Sequence, residues 1–119
     1  MSKNMKAEVQ ALAKEMREYI CGWVKKAMDH SSITSRSCRS DGWFAFPGGG
    51  EMVGGFEPTE VVAWRPYTGE EDGCAFLFKR LGSGVEYTKS IHYLTTDELV
   101  DIYNYLRGGV YNIGFQEWL

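Results

Sequence analysis

Between Lys3 and His30 apolar residues fall at Met5, Val9, Leu12, Met16, Tyr19 with Ile20, Trp23 and Ala27, in alternating steps of four and three. That is the repeat of one helical stripe, and no proline interrupts it, so the spacing predicts a long helix over about 3–30. At 1.5 Å per residue such a helix runs roughly 40 Å, whereas a compact chain of this length has a radius of gyration near ~14 Å. The helix therefore either breaks, with Gly22 as the weak point, or projects beyond the body.

After a serine-rich stretch, Ser31 to Asp41, the period shortens. Trp43 to Phe46 is an aromatic run between Asp41-Gly42 and Pro47-Gly48-Gly49-Gly50, which reads as a strand entering a turn. Met52 and Val53 suggest a weak strand between glycine clusters. Val61 to Arg65 is a clearer one, Pro66 to Gly73 a turn, and Cys74 to Leu81 the most apolar strand in the chain. Beyond a tight connection at Gly82-Ser83-Gly84, Val85, Tyr87, Ile91 and Tyr93 alternate with Glu86, Thr88, Ser90 and His92, the signature of a sheet with one wet face. Lys89 falls on the apolar side, where its stem is expected to reach water at the sheet edge. Thr95 and Glu98 have the spacing of a capping box. It opens a helix that buries Leu99, Ile102, Tyr103 and Leu106 and stops at Gly108-Gly109.

This order predicts an α+β fold: an N-terminal helix, a four- to five-stranded antiparallel β-meander over about 42–94, and a C-terminal helix over about 96–107 packed on the sheet. The short glycine-rich connections make sequential pairing the simplest topology. The tail 110–119 is apolar enough to be expected to dock on the body or to add an edge strand. At 119 residues the chain fits one domain, 1–119.

Composition narrows the picture. Hydrophobic residues at 44% and charged residues at 24% exclude a disordered chain. No apolar run approaches the ~20 residues of a membrane span, and the first ten residues hold no signal-peptide core. Three cysteines, Cys21, Cys38 and Cys74, form no C-x-x-C pair and fit reduced thiols, so the expected location is cytoplasmic. Charge is split: residues 1–40 hold eight Lys/Arg against four acids, and residues 41–119 hold five against twelve, within a total of −3. A basic helix on an acidic body suits contact with a charged protein surface, while a pI of about 5.4 argues against nucleic acid.

No motif names a chemistry. The glycines of PGGGEMVGG fit no phosphate-loop pattern, since Gly55 stands where lysine is needed and no helix follows. His30, His92 and the cysteines lack zinc-ligand spacing, so neither a metal nor a cofactor is expected. Among the cysteines, only Cys38 suggests itself as a nucleophile to be paired with a histidine. The strand GCAFLF departs from the RNA-recognition consensus at Asp72, Cys74 and Lys79. Arg36 and Arg39 among hydroxyls read as a solvated linker rather than an anion site.

What remains is a surplus of aromatics: six Phe, seven Tyr and four Trp. Tyr, Trp and Arg anchor protein interfaces, and Trp64, Arg65 and Tyr67 stand beside the acidic turn Glu70, Glu71 and Asp72. On alternation Val61, Ala63 and Arg65 share one face, with Val62 and Trp64 on the other. The expected function is that of a small non-catalytic binding protein that docks on a larger protein as a regulator or inhibitor. One concrete version is an inhibitor of the bacterial or viral anti-defence type. The alternatives are a small-molecule-binding domain or enzyme with a pocket of Trp43, Phe44, Tyr87, His92 and Tyr93, and a homodimer or larger homo-oligomer joined through Leu12, Met16 and Trp23.

Overall fold

A computed structural model describes residues 2–30, 38–52, 57–66 and 73–108, with the backbone alone for 2–7, 47–50 and 108. Helix α1 (Ser2–Met28) is followed by strands β1 (Phe44–Met52), β2 (Thr59–Pro66), β3 (Cys74–Arg80) and β4 (Glu86–Ser90), a 3-10 turn (Ile91–Tyr93) and helix α2 (Thr96–Gly108). The strands pair antiparallel in the order β1-β2-β3-β4, the expected meander, and an isolated bridge joins Cys38 to Phe44 outside the edge of β1. The tail 110–119, the turn 67–72 and the serine-rich segment 31–37 lie outside the described residues.

Both helices cover one face of the sheet. Cys74, Phe76 and Phe78 of β3, with Val61 and Trp64 of β2, meet Met16, Ile20, Trp23, Val24 and Ala27 of α1 and Leu99, Ile102 and Leu106 of α2 in a single buried cluster. The helices also pack on each other: Tyr19 and Tyr103 meet edge to face, with ring centroids 5.1 Å apart. Tyr105 of α2 donates to the carbonyl of Glu51 at 2.5 Å, tying that helix to β1. A second, smaller cluster on the other face sets Trp43 against Ala63, Ala75 and Leu77. Strand β3 is therefore apolar at five successive positions because it is interior and both of its sides are covered.

Three local expectations change. First, β1 runs as one strand through Gly48 to Gly50 instead of turning there. Its register against β2 slips between Ala45 and Gly50, an irregularity that an edge strand tolerates, as it does Pro47. Second, β2 carries a bulge at Val62, since Val61 pairs with Phe78 and Ala63 with Leu77. The bulge brings Val61 and Trp64 onto the same face and breaks the simple alternation. Third, the strand expected over 85–94 stops at Ser90, whose hydroxyl accepts from the His92 amide at 3.2 Å and starts the 3-10 turn. Val85 and Tyr93, expected on the apolar face, are exposed, Tyr93 at 77%.

Two glycines hold turns that other residues resist. Gly84 (φ +76°) lets Arg80 and Val85 close the β3–β4 hairpin, and Gly42 (φ +87°) turns the chain between Arg39 and Trp43. Gly22 does something different, because α1 continues through it unbroken. A Cβ built there meets nothing within 4 Å, so Gly22→Ala removes a helix-interior glycine without a clash. The expected gain is about 0.5–1 kcal/mol, read as a higher midpoint in urea; a lower midpoint would show that the helix needs a glycine at this position.

Candidate functional site

Arg17, Cys21 and Lys25 stand at four-residue steps, so they form one ridge along the side of α1. The 3-10 turn lies across from them and brings up Ile91 and His92. Between the two runs an open groove of about 360 Å³, lined also by Glu18 and Gly22. Gly22 contributes no side chain, which helps keep the groove open. Arg17 is half-buried, and its Nε is shielded from solvent with no hydrogen-bond partner among the described residues. The lining is cationic overall, with Arg17 and Lys25 against the single carboxylate of Glu18.

Cys21 lines this groove, while Cys74, the first residue of β3, has no exposed surface. Side-chain hydrogen bonding with Cys21 first, and burial second, push the Cys74 thiol far above its ordinary range, so Cys74 keeps its proton at neutral pH. All three cysteines are reduced. The sequence singled out Cys38 as the thiol to pair with a histidine. Cys38 is instead exposed, its thiol directed to the Arg39 carbonyl at 3.6 Å, and the cysteine that shares a site with a histidine is Cys21. The four-residue spacing of Arg17, Cys21 and Lys25 was a readable signal. The approach of His92, 71 residues beyond Cys21 in the chain, was not.

The other candidate residues are dispersed. Trp64 is wholly buried, so it serves the core and offers no docking surface. Arg65 is exposed on the opposite face, its guanidinium 4.4 Å from the centre of the Trp43 ring. Tyr67, Glu70, Glu71 and Asp72 lie outside the described residues. The five residues of the suggested pocket do not assemble. Trp43 is on the face away from the helices, Phe44 stacks on Trp64 in β1, Tyr87 stacks on Phe78 in β4 at the far edge, and His92 and Tyr93 are exposed in the turn. Of the self-association residues, Met16 and Trp23 are buried in the core, and only Leu12 is exposed.

Among the described residues, no three His, Cys, Asp or Glu side chains converge as a metal site would require. Nor is any described helix long and apolar enough to cross a membrane. Comparison with known proteins gives no match to a family model, to a curated protein or to a solved structure.

Proposed function

We propose that this chain is a non-catalytic docking protein that engages a larger protein through the projecting first half of α1. The supporting observation is that, among the described side chains, the apolar stripe of α1 enters the core from Ala13 onward, while Val9 and Leu12 on the same stripe are 44% and 53% exposed. The helix has 27 residues, and the molecule measures 48 Å in its longest dimension against 34 and 32 Å in the others. An amphipathic helix that outruns its own core suits insertion into a partner's apolar groove. Six Lys/Arg and three Glu along α1 favour a partner with an acidic rim.

Leu12→Glu tests this reading because Leu12 contributes nothing to the core. The variant is expected to keep the wild-type melting temperature and to lose affinity for a captured stoichiometric protein partner by about tenfold or more. Retention of that partner by both Leu12→Glu and Val9→Glu would overturn the reading. A wild type that is dimeric by light scattering, with Leu12→Glu monomeric, would assign the surface to a second copy instead.

A further inference from the structure

We infer that the groove between α1 and the 3-10 turn is a binding site for a small organic monocarboxylate, with Arg17 as the anion anchor and Gly22 and Ile91 beside the ligand's apolar body. The site stands apart from the docking surface, since it uses the second half of α1 and neither Val9 nor Leu12.

Among the arginines whose side chains are described, Arg17 alone lacks a partner. Arg39 pairs with Asp41, Arg80 with Glu57, Arg107 donates to the Tyr103 hydroxyl, and Arg65 lies over the Trp43 ring. Arg17 is half-buried, makes no ion pair or hydrogen bond among the described residues, and has its Nε shielded from water. Its own helix cannot supply an acceptor. The residues three and four positions away, Ala13, Lys14, Ile20 and Cys21, include no carboxylate, and Glu18, as the next residue, points away from it around the helix. A guanidinium cannot shed its charge, and shielded donors in folded proteins nearly always have an acceptor. An oxyanion that draws the Arg17 guanidinium toward the groove supplies the one that is missing.

Charge and shape select the class of ligand. Arg17 and Lys25 against Glu18 leave the described lining with an excess of one positive charge. One carboxylate cancels that excess, whereas a phosphate monoester, at about −1.5 to −2 near pH 7, overshoots it. The carboxylate belongs at Arg17, whose planar fork grips both of its oxygens from a half-buried position, while Lys25 is exposed and hydrated roughly 12 Å further along the helix axis. Between these two charges the wall is apolar, with the buried Ile91 facing Cys21 and the bare backbone of Gly22. A Cβ built on Gly22 meets nothing within 4 Å, so the space beside the helix is open there for a hydrocarbon segment. The volume of about 360 Å³ lies at the low end for ligand pockets, which suits a small molecule.

Octanoate is the probe, titrated into the isotope-labelled full chain and followed by amide chemical shifts, with octanamide as its uncharged counterpart and octyl phosphate as the more highly charged one. Octanoate is expected to bind with a Kd of about 0.1–1 mM, modest because the groove is open, with saturable shifts centred on Arg17, Cys21, Gly22 and His92. Octanamide is expected to bind about tenfold more weakly and octyl phosphate no more tightly than octanoate. Arg17→Met keeps the aliphatic stem and removes the charge, so it should weaken octanoate about tenfold without lowering the melting temperature. Gly22→Leu fills the groove from a helix position with room for a side chain, and is expected to abolish the saturable shifts while the fold is kept. Absence of saturable shifts at these residues, equal affinity for octanamide, or unchanged octanoate binding by Arg17→Met would overturn the site. Shifts centred on Val9 and Leu12 would assign octanoate to the exposed stripe of α1 and overturn it as well. Octyl phosphate binding about tenfold more tightly than octanoate would overturn the choice of a monocarboxylate.

Discussion

Replacing Trp64 by alanine is expected to cost about 3–5 kcal/mol, the range for truncating a large aromatic side chain in a packed core. Trp64 is fully buried where β1, β2 and α1 meet. Its ring stacks on Phe44 at 4.8 Å between centroids and receives Trp23 edge to face at 5.4 Å, so one side chain joins the edge strand to the helix layer. Alanine removes both aromatic contacts and opens a cavity that the irregular β1 strand is poorly placed to refill. Since domains of this size are stable by about 5–15 kcal/mol, the variant should be largely unfolded in urea concentrations the wild type withstands. Trp64→Phe separates the causes. It keeps a ring against Phe44 and removes an indole Nε1 that is buried without a hydrogen-bond partner among the described residues, so its cost should stay below about 2 kcal/mol. Urea unfolding followed by far-ultraviolet circular dichroism reads both values. A loss under about 1 kcal/mol for the alanine variant would show that Trp64 does not join these layers.

The second large effect is expected at Glu98, where Glu98→Ala should cost about 2–3 kcal/mol although the residue is a surface-type carboxylate near a helix end. Two structures depend on it at once. Its Oε1 accepts from the Thr95 amide at 2.8 Å while the Glu98 amide donates to the Thr95 hydroxyl at 3.2 Å, which completes the capping box of α2. The same carboxylate takes the Lys89 ammonium at 2.9 and 3.2 Å, tying β4 to α2. Both side chains of this pair are largely covered, 30% exposed for Lys89 and 14% for Glu98, so alanine leaves a half-buried cation unpaired as well as an open helix end. Lys89→Met removes the cation together with the pair and leaves the capping box intact, so it is expected to cost clearly less. If the two variants lost the same stability in urea, the cap would contribute nothing beyond the ion pair.

The Lys89–Glu98 pair also shows where local reasoning ends. A lysine on the apolar side of an alternating strand reads as a residue that must snorkel to water, because a sequence shows which face it occupies but not what lies opposite. The capping box itself was legible, since Thr95 and Glu98 are three residues apart and satisfy one another within a single turn. The stripe of α1, the two-sided burial of β3 and the glycine hairpin before β4 were legible for the same reason: the period of the backbone conformation converts directly into which residues share a face. From these the α+β order and the antiparallel meander followed.

What the sequence left open was decided by contacts between distant segments. The bulge at Val62 put Val61 and Trp64 on one face against the alternation, so that both enter the core beneath the helices. A bulge adds one residue to one strand and leaves no periodic trace, so only the pairing with Phe78 and Leu77 exposes it. The end of β4 at Ser90 rested on one hydroxyl choosing a nearby amide over the sheet ladder. The groove needed α1 and the 3-10 turn to converge before Cys21 and His92 became neighbours. By itself the sequence determined the elements, their order and most of their buried faces, because these depend on backbone periodicity and nearest-neighbour hydrogen bonds. Tertiary structure alone decided which helical residues had a core to enter, which aromatics were left for the surface and which side chains line the groove, because each depends on what another part of the chain places opposite.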